Sequence, residues 1–315
     1  MFIPLLNKLA AKIEQISIKD LYTNPFLLAK SLRGLQELLK VDAIISIFDT
    51  TLEAEACGCE IDWKENGPII VSHPASEGDL KISPEEILKR GRIPVVMEAI
   101  RQLKITVGST TPIGVVITGP LTITEHLIGY NILKALEEDP NFVNTIVKTV
   151  CKILTSLCRQ YCELNVDFII LADGNLSEAP SEYISENLSK HLRPFWNVAR
   201  YHVIPTILLQ GKVGDDKVTE EVFKLDLDGF ILTSQIKLDS IPHSVISKKI
   251  IGIALPIEIF HCNIEDVKDI LYEAKQSVMQ IPHSFITTEW EVSLDVSMEL
   301  LRRITSQIKD LLVTL

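Results

Sequence analysis

Eight short runs rich in β-branched residues alternate with longer amphipathic stretches along this chain, and that alternation limits its folds more than any other feature. The runs are Phe2–Leu6, Asp42–Phe48, Ile113–Thr118, Asp167–Leu171, His202–Leu209, Leu227–Thr233, Lys249–Leu255 and Ser284–Thr288. Between them, stretches such as Pro25–Leu39, Pro84–Leu103, Pro140–Glu163 and Ile264–Met279 carry helical periodicity, each opening near a proline or an Asp, Asn or Ser. Eight strands with intervening helices predict an α/β fold, the (β/α)8 TIM barrel. The alternative is an open doubly wound sheet, which normally uses fewer strands. One segment breaks the rhythm: Gly58–Trp63 and Pro68–His73 flank Lys64-Glu65-Asn66-Gly67, predicting a small β-hairpin insertion after strand 2. No repeat and no Gly/Ser-rich linker divides the chain, so residues 1–315 read as one domain.

Charge narrows the partners. The 31 Lys and Arg against 42 Asp and Glu leave a formal charge of −11, with no basic cluster to hold a phosphate backbone, so nucleic acid is not an expected partner. The first fifteen residues lack a signal-peptide pattern, and no apolar run reaches the roughly 18 residues of a membrane span. Six cysteines are too few for a disulfide scaffold in a chain of this length, which points to a reducing cytoplasm.

Short motifs exclude several chemistries. Cys57-Gly58-Cys59 and His261-Cys262 are each one possible pair of metal ligands without a second pair, so no metal site is expected. Gly211-Lys212-Val213-Gly214 is too short for a Walker loop, and no Gly-x-Ser-x-Gly elbow occurs.

Other stretches carry a resemblance. Val41–Asp49, Glu53-Ala54-Glu55-Ala56-Cys57-Gly58-Cys59-Glu60 and Gly67-Pro68 resemble the second-strand region of the uroporphyrinogen decarboxylase superfamily, and the Glu-Ala-Glu-Ala wording is more similar to its cobalamin-dependent, coenzyme M type methyltransferases. Gly119-Pro120-Leu121-Thr122, Asp139-Pro140, Asn165-Val166-Asp167 leading to Asp173, and Leu227-Asp228-Gly229 follow in the family's order. The resemblance implies the same barrel.

The resemblance also implies site residues, and the chain departs from some. Where the decarboxylases carry an Arg-Gln-Ala-Gly-Arg loop, this chain reads Asn7-Lys8-Leu9-Ala10-Ala11, without an arginine to clamp a polycarboxylate. Where the methyltransferases carry His-x-Cys-Gly, it reads Leu208-Leu209-Gln210-Gly211, and the second-cysteine region reads Thr288-Glu289-Trp290-Glu291, so no zinc is expected. Asp49 matches the decarboxylases' aspartate and His126 their tyrosine; both are candidate catalytic residues. The alternative for Asp49 is a turn ligand to Thr50-Thr51, and for His126 a structural helix histidine. Asp173, Gln210, Lys212, Glu289 and Trp290 are candidate ligand-binding residues at strand ends, with capping or a solvated loop as their alternatives.

The expected function is corrinoid-dependent methyl transfer to or from a small-molecule substrate, with the corrinoid on a separate partner protein and room for a homodimer. A decarboxylase of a tetrapyrrole or smaller acid, and a non-catalytic tetrapyrrole- or partner-binding barrel, are the competing expectations.

Overall fold

The structure is a computed structural model, and it describes residues 1–77, 82–210, 220–233, 241–262 and 264–313. Seven parallel strands form one sheet in the order β1 (Ile44–Ile45), β4 (Ile113–Thr118), β5 (Phe168–Ala172), β6 (Thr206–Leu209), β7 (Gly229–Thr233), β8 (Ile250–Leu255) and β9 (Ser284–Thr288). Strands β2 (Ile61–Lys64) and β3 (Gly67–Ile70) pair antiparallel outside it, with Gly67 at φ 119° where the chain turns. The first expected strand, Phe2–Leu6, makes no ladder. It pairs through a single parallel bridge, Phe2 to Ile286. Its backbone still reaches both edges of the curled sheet, since Ile3 N–H donates to the Ile286 carbonyl at 2.8 Å and Asp42 N–H donates to the Phe2 carbonyl at 3.0 Å.

Side chains alternate between two apolar layers, as a parallel sheet covered on both faces requires. Ile169 and Leu171 join the large core under the helices, while Ile170 and Ala172 join a smaller cluster inside the curl with Ile3, Leu5, Val116 and Leu209. Ile3 and Leu5 point inward and Phe2 and Leu6 outward, so the N-terminal segment alternates as the strands do. The lower interior is filled by aromatic rings facing glycines. A Cβ on Gly114 would stand 2.3 Å from the Phe168 ring, and one on Gly252 would stand 2.7 Å from that of Phe285. Only glycine leaves those rings room.

The helices start where the sequence places their caps. Asn24 accepts from Phe26 and Leu27 N–H at 3.0 and 3.2 Å ahead of α3 (Pro25–Leu39), with Pro25 in the first turn. Asp139 accepts from Phe142 N–H at 3.0 Å and opens α8 (Pro140–Glu163), whose Val143, Val147, Val150, Leu154 and Tyr161 form a buried stripe. Each such aliphatic side chain contributes about 1.5–3 kcal/mol by leaving water. Boundaries move: the strand expected over Asp42–Phe48 shortens to Ile44–Ile45, and the strand expected from His202 begins at Thr206. Tyr201 completes a helix, Ser189–Tyr201, Val203 turns the chain at φ 60°, and Pro205 has no N–H for a ladder. No helix among the described residues is long and apolar enough to cross a membrane.

Candidate active site

Because the lower interior is packed, space for a ligand lies at the carboxyl ends of the strands, where folds of this kind place their chemistry. The uppermost inward residues there are Phe48 and Trp290, whose rings meet edge to face at 4.7 Å.

Asp49 follows β1 and is nearly sealed. One carboxylate oxygen accepts from the backbone and hydroxyl of Thr51, each at 2.9 Å, and the other accepts from Nη1 of Arg92. The turn contact and the ion pair thus occupy both oxygens. Arg92, which precedes α5 (Ile93–Thr106), also donates from Nε to Glu55 at 2.6 Å and from Nη2 to Thr51 at 2.9 Å, and its guanidinium lies 5.1 Å from the Trp63 ring centre. Burial alone would lower the Arg92 pKa, but Asp49 and Glu55 outweigh it and raise it. Glu55 is visible in the Glu-Ala-Glu-Ala run; its partnership with Arg92 has no local sequence signal.

Glu53, on α4 (Leu52–Ala56), is fully buried. Its Oε2 accepts from the Thr118 hydroxyl at 2.6 Å, while Oε1 has no partner. Burial pushes this carboxyl up to about 7, against the opposing pull of Thr118. The fully buried Tyr161 hydroxyl, also without a partner, is raised by burial and then by the charge of Glu53. Sequence reasoning missed Glu53, although its place beside Asp49 could have flagged it.

His126 lies on α6 (Pro120–Ile128), close enough to Asp49 to feel its charge. Burial lowers the imidazole pKa and leaves Nε2 without a partner. Its carbonyl accepts from His73 Nδ1 at 2.8 Å and lies 3.6 Å from the Cys59 thiol. Burial pushes the thiols of Cys57 and Cys59 up to about 12, so both stay protonated at neutral pH.

Among the described residues, a cavity of about 610 Å³ opens at this end between α1 (Asn7–Glu14), the tip of the β2–β3 hairpin and the chain after β9. Trp290 and Glu291 line it with Lys8, Glu65 and Asn66. Glu291 is buried, and its two oxygens take the Lys8 backbone N–H at 2.9 Å and the Lys8 ammonium at 3.0 Å. Burial nonetheless pushes its carboxyl up to about 7. Behind it stands the fully buried Tyr22 hydroxyl, which interacts with Glu291 and is held un-ionised by burial and then by the Glu291 charge. Glu289 lies one residue short of this wall, and Ile257 N–H donates to it at 3.4 Å.

The remaining expected residues separate. Asp173 is buried and caps α6 from another element, accepting from Leu121 N–H at 2.9 Å, Thr122 N–H at 3.1 Å and the Thr122 hydroxyl at 2.8 Å. A Cβ on Gly119 would stand 2.2 Å from Asp173, so only glycine allows this approach. Burial raises the Asp173 carboxyl to about 6 despite these donors. Gln210 follows β6 and is buried, with Oε1 unpartnered, whereas Lys212 lies outside the described residues. At the positions where the resemblance implies zinc ligands, Leu208 packs into the outer core and Gln210 presents an amide. That donor set does not fit a zinc ion. Among the described residues no three His, Cys, Asp or Glu side chains gather as a metal site.

A methylated-thiol–coenzyme M methyltransferase of Methanosarcina mazei is 27% identical over 145 residues, 45% of this chain and 40% of that protein. The methylcobamide:CoM methyltransferase MtaA of Methanosarcina barkeri is 35% identical over 112 residues, 35% of this chain and 33% of that protein. The matched stretches therefore span well under half of these relatives. Among solved structures, a methyltransferase from Methanosarcina mazei superposes with a TM-score of 0.82 at 19% identity, covering 98% of this chain and 94% of the other. A B12-independent methionine synthase from Shewanella superposes at 0.60 with 16% identity, covering 92% and 90%. These two likenesses are of fold. The pattern of the uroporphyrinogen decarboxylase (URO-D) family matches residues 4–306, nearly the whole chain, and the protein belongs to that family.

Proposed function

We propose that this protein is a methyltransferase built as one domain on its curled seven-stranded sheet, moving a methyl group between a small molecule in the Trp290 cavity and a corrinoid carried by a separate protein. The observation that carries the reading is the cavity itself. About 610 Å³ beside Trp290, Glu291 and Lys8 suits a small ligand, and the opening faces the end of the sheet where a partner could dock. The relatives in the curated comparison support methyl transfer, and their names include a methylcobamide. A bound corrinoid would supply the methyl-carrying centre. This chain's residues would hold the small molecule, with Trp290 as an apolar wall and Glu291 and Lys8 as a charged pair, while Asp49 and His126, outside the cavity lining, would act through the Asp49 charge that reaches Glu291.

Decarboxylation of a polycarboxylate fits less well. Asn7–Ala11 begins a helix here, and its one cation, Lys8, is paired with Glu291. Carboxylates left without such partners would cost about 1–3 kcal/mol each.

Anaerobic incubation with methylcobalamin and a panel of thiols, followed by the corrinoid absorbance, tests the reading. Protein-dependent loss of the methyl-corrinoid spectrum is expected, with no coproporphyrinogen formed from uroporphyrinogen. Efficient decarboxylation with an unchanged corrinoid spectrum would overturn it.

A further inference from the structure

Resting on the methyl-transfer reading for the reaction itself, we propose that Trp290 sets the size limit of the substrate. Its indole takes the ring-sized place over the axis of the curled sheet, so that small acyclic molecules react from the cavity beside it and ring-bearing ones are refused. The ring spans the curl. Trp290 follows β9, and its Cη2 lies 3.9 Å from where a Cβ on Gly174, after β5, would stand. With the N-terminal segment counted between β9 and β1, β5 is about four places from β9 in either direction, so the indole reaches the opposite rim. On the way it meets the Phe48 ring edge to face at 4.7 Å.

Both ends of this bridge are fixed. Glu289 N–H donates to the Leu255 carbonyl and Val292 N–H to the Leu5 carbonyl, each at 3.0 Å, which pins the backbone on either side of Trp290 to the end of β8 and to the N-terminal segment. At the far rim Gly174 N–H donates to the Thr122 hydroxyl at 3.0 Å, and that hydroxyl donates to Asp173 at 2.8 Å. Below the indole, Val116, Ile170, Ala172 and Leu209 fill the interior with Phe48. The side chain is only half-buried, and it also lines the cavity of about 610 Å³, whose lining includes neither Phe48 nor Gly174. Trp290 is thus a partition between the axis and the cavity. A substrate's own ring would have to displace a side chain held by packing on several sides, whereas a chain of a few atoms in the cavity would leave it in place.

Trp290→Ala tests the inference by binding alone, because it should leave an apolar slot of indole's own shape. In calorimetric titration of the full chain, free indole is expected to bind the variant saturably and at least about tenfold more tightly than the wild type. Adding Gly174→Leu, which refills the slot from the opposite rim, should abolish that binding. If Trp290→Ala does not fold, as judged by circular dichroism, Trp290→Leu with benzene as the probe carries the same expectation. In the methylcobalamin assay, the ratio of kcat/KM for benzyl mercaptan to that for ethanethiol should rise at least about tenfold in the same variant. Equal indole binding by wild type and folded variant, or none by the variant, would overturn the proposal. Indole binding by the variant with no methyl transfer by the wild type would overturn the methyltransferase reading and leave the partition standing. Wild-type methyl transfer to benzyl mercaptan as efficient as to ethanethiol would do the reverse.

Discussion

Arg92 and Asp49 face each other as a nearly sealed ion pair, their side chains 4% and 6% exposed, with Nη1 of one donating to Oδ2 of the other. Desolvation makes such a pair costly to break from one side, because the remaining charge stays buried. Asp49→Asn is therefore expected to lower folding stability by about 3 kcal/mol, and Arg92→Met in the same chain should restore a large part of it. Urea denaturation of the two variants checks this. A single variant as stable as the wild type would show that Glu55 alone satisfies Arg92.

Glu53 makes stability depend on pH. Its folded-state pKa of about 7 lies above the ordinary glutamate value, so the folded chain binds the proton more tightly than the unfolded one. The stabilisation is complete below the unfolded pKa and disappears as pH rises through about 7. Glu53→Gln should remove this dependence, gaining about 3 kcal/mol on the wild type between acidic and mildly alkaline pH. Parallel stability curves for the two proteins would show that Glu53 folds as a carboxylate.

Lys8 holds Glu291 below the value that burial alone would impose. Lys8→Met is expected to move the Glu291 titration upward from about 7, and any binding that needs the carboxylate should shift its pH midpoint the same way. Carbon-13 NMR of the glutamate carboxyls gives the direct reading. A downward or absent shift would count against the pairing.

Gly114 tests the interior packing below the cavity. An alanine there would bring its Cβ to 2.3 Å from the Phe168 ring. The overpacking is expected to cost about 1–3 kcal/mol, with Phe168→Leu in the same chain relieving part of it. Thermal unfolding of both single variants and the double variant measures the coupling. Strict additivity would mean that the ring moves aside without strain.

Much of the architecture was legible from local pattern. Strand runs with both faces apolar, and helix starts such as Asn24-Pro25 and Asp139-Pro140, depend on neighbouring residues, so reading them needs no knowledge of what packs where. The first run was harder to read correctly. Phe2–Leu6 alternates like a strand, but it bridges only Ile286, and its Phe2 carbonyl accepts from Asp42 N–H at the other edge, a pairing that depends on how the sheet curls.

The candidate site divides along the same line. Residue type and position at strand ends nominated Asp173, Gln210 and Trp290 as candidates, and the family resemblance added Asp49, the missing arginines and the missing zinc ligands. Tertiary structure alone decided that Asp49 meets Arg92, 43 residues away, that Asp173 caps a helix that begins about 50 residues earlier, and that Lys8 meets Glu291 across 283 residues. Those encounters follow from the order of strands around the sheet. So does the burial that raises Glu53 and Glu291 to about 7, because a carboxyl's environment is set by whatever the fold brings against it, and the chain on either side carries no record of that.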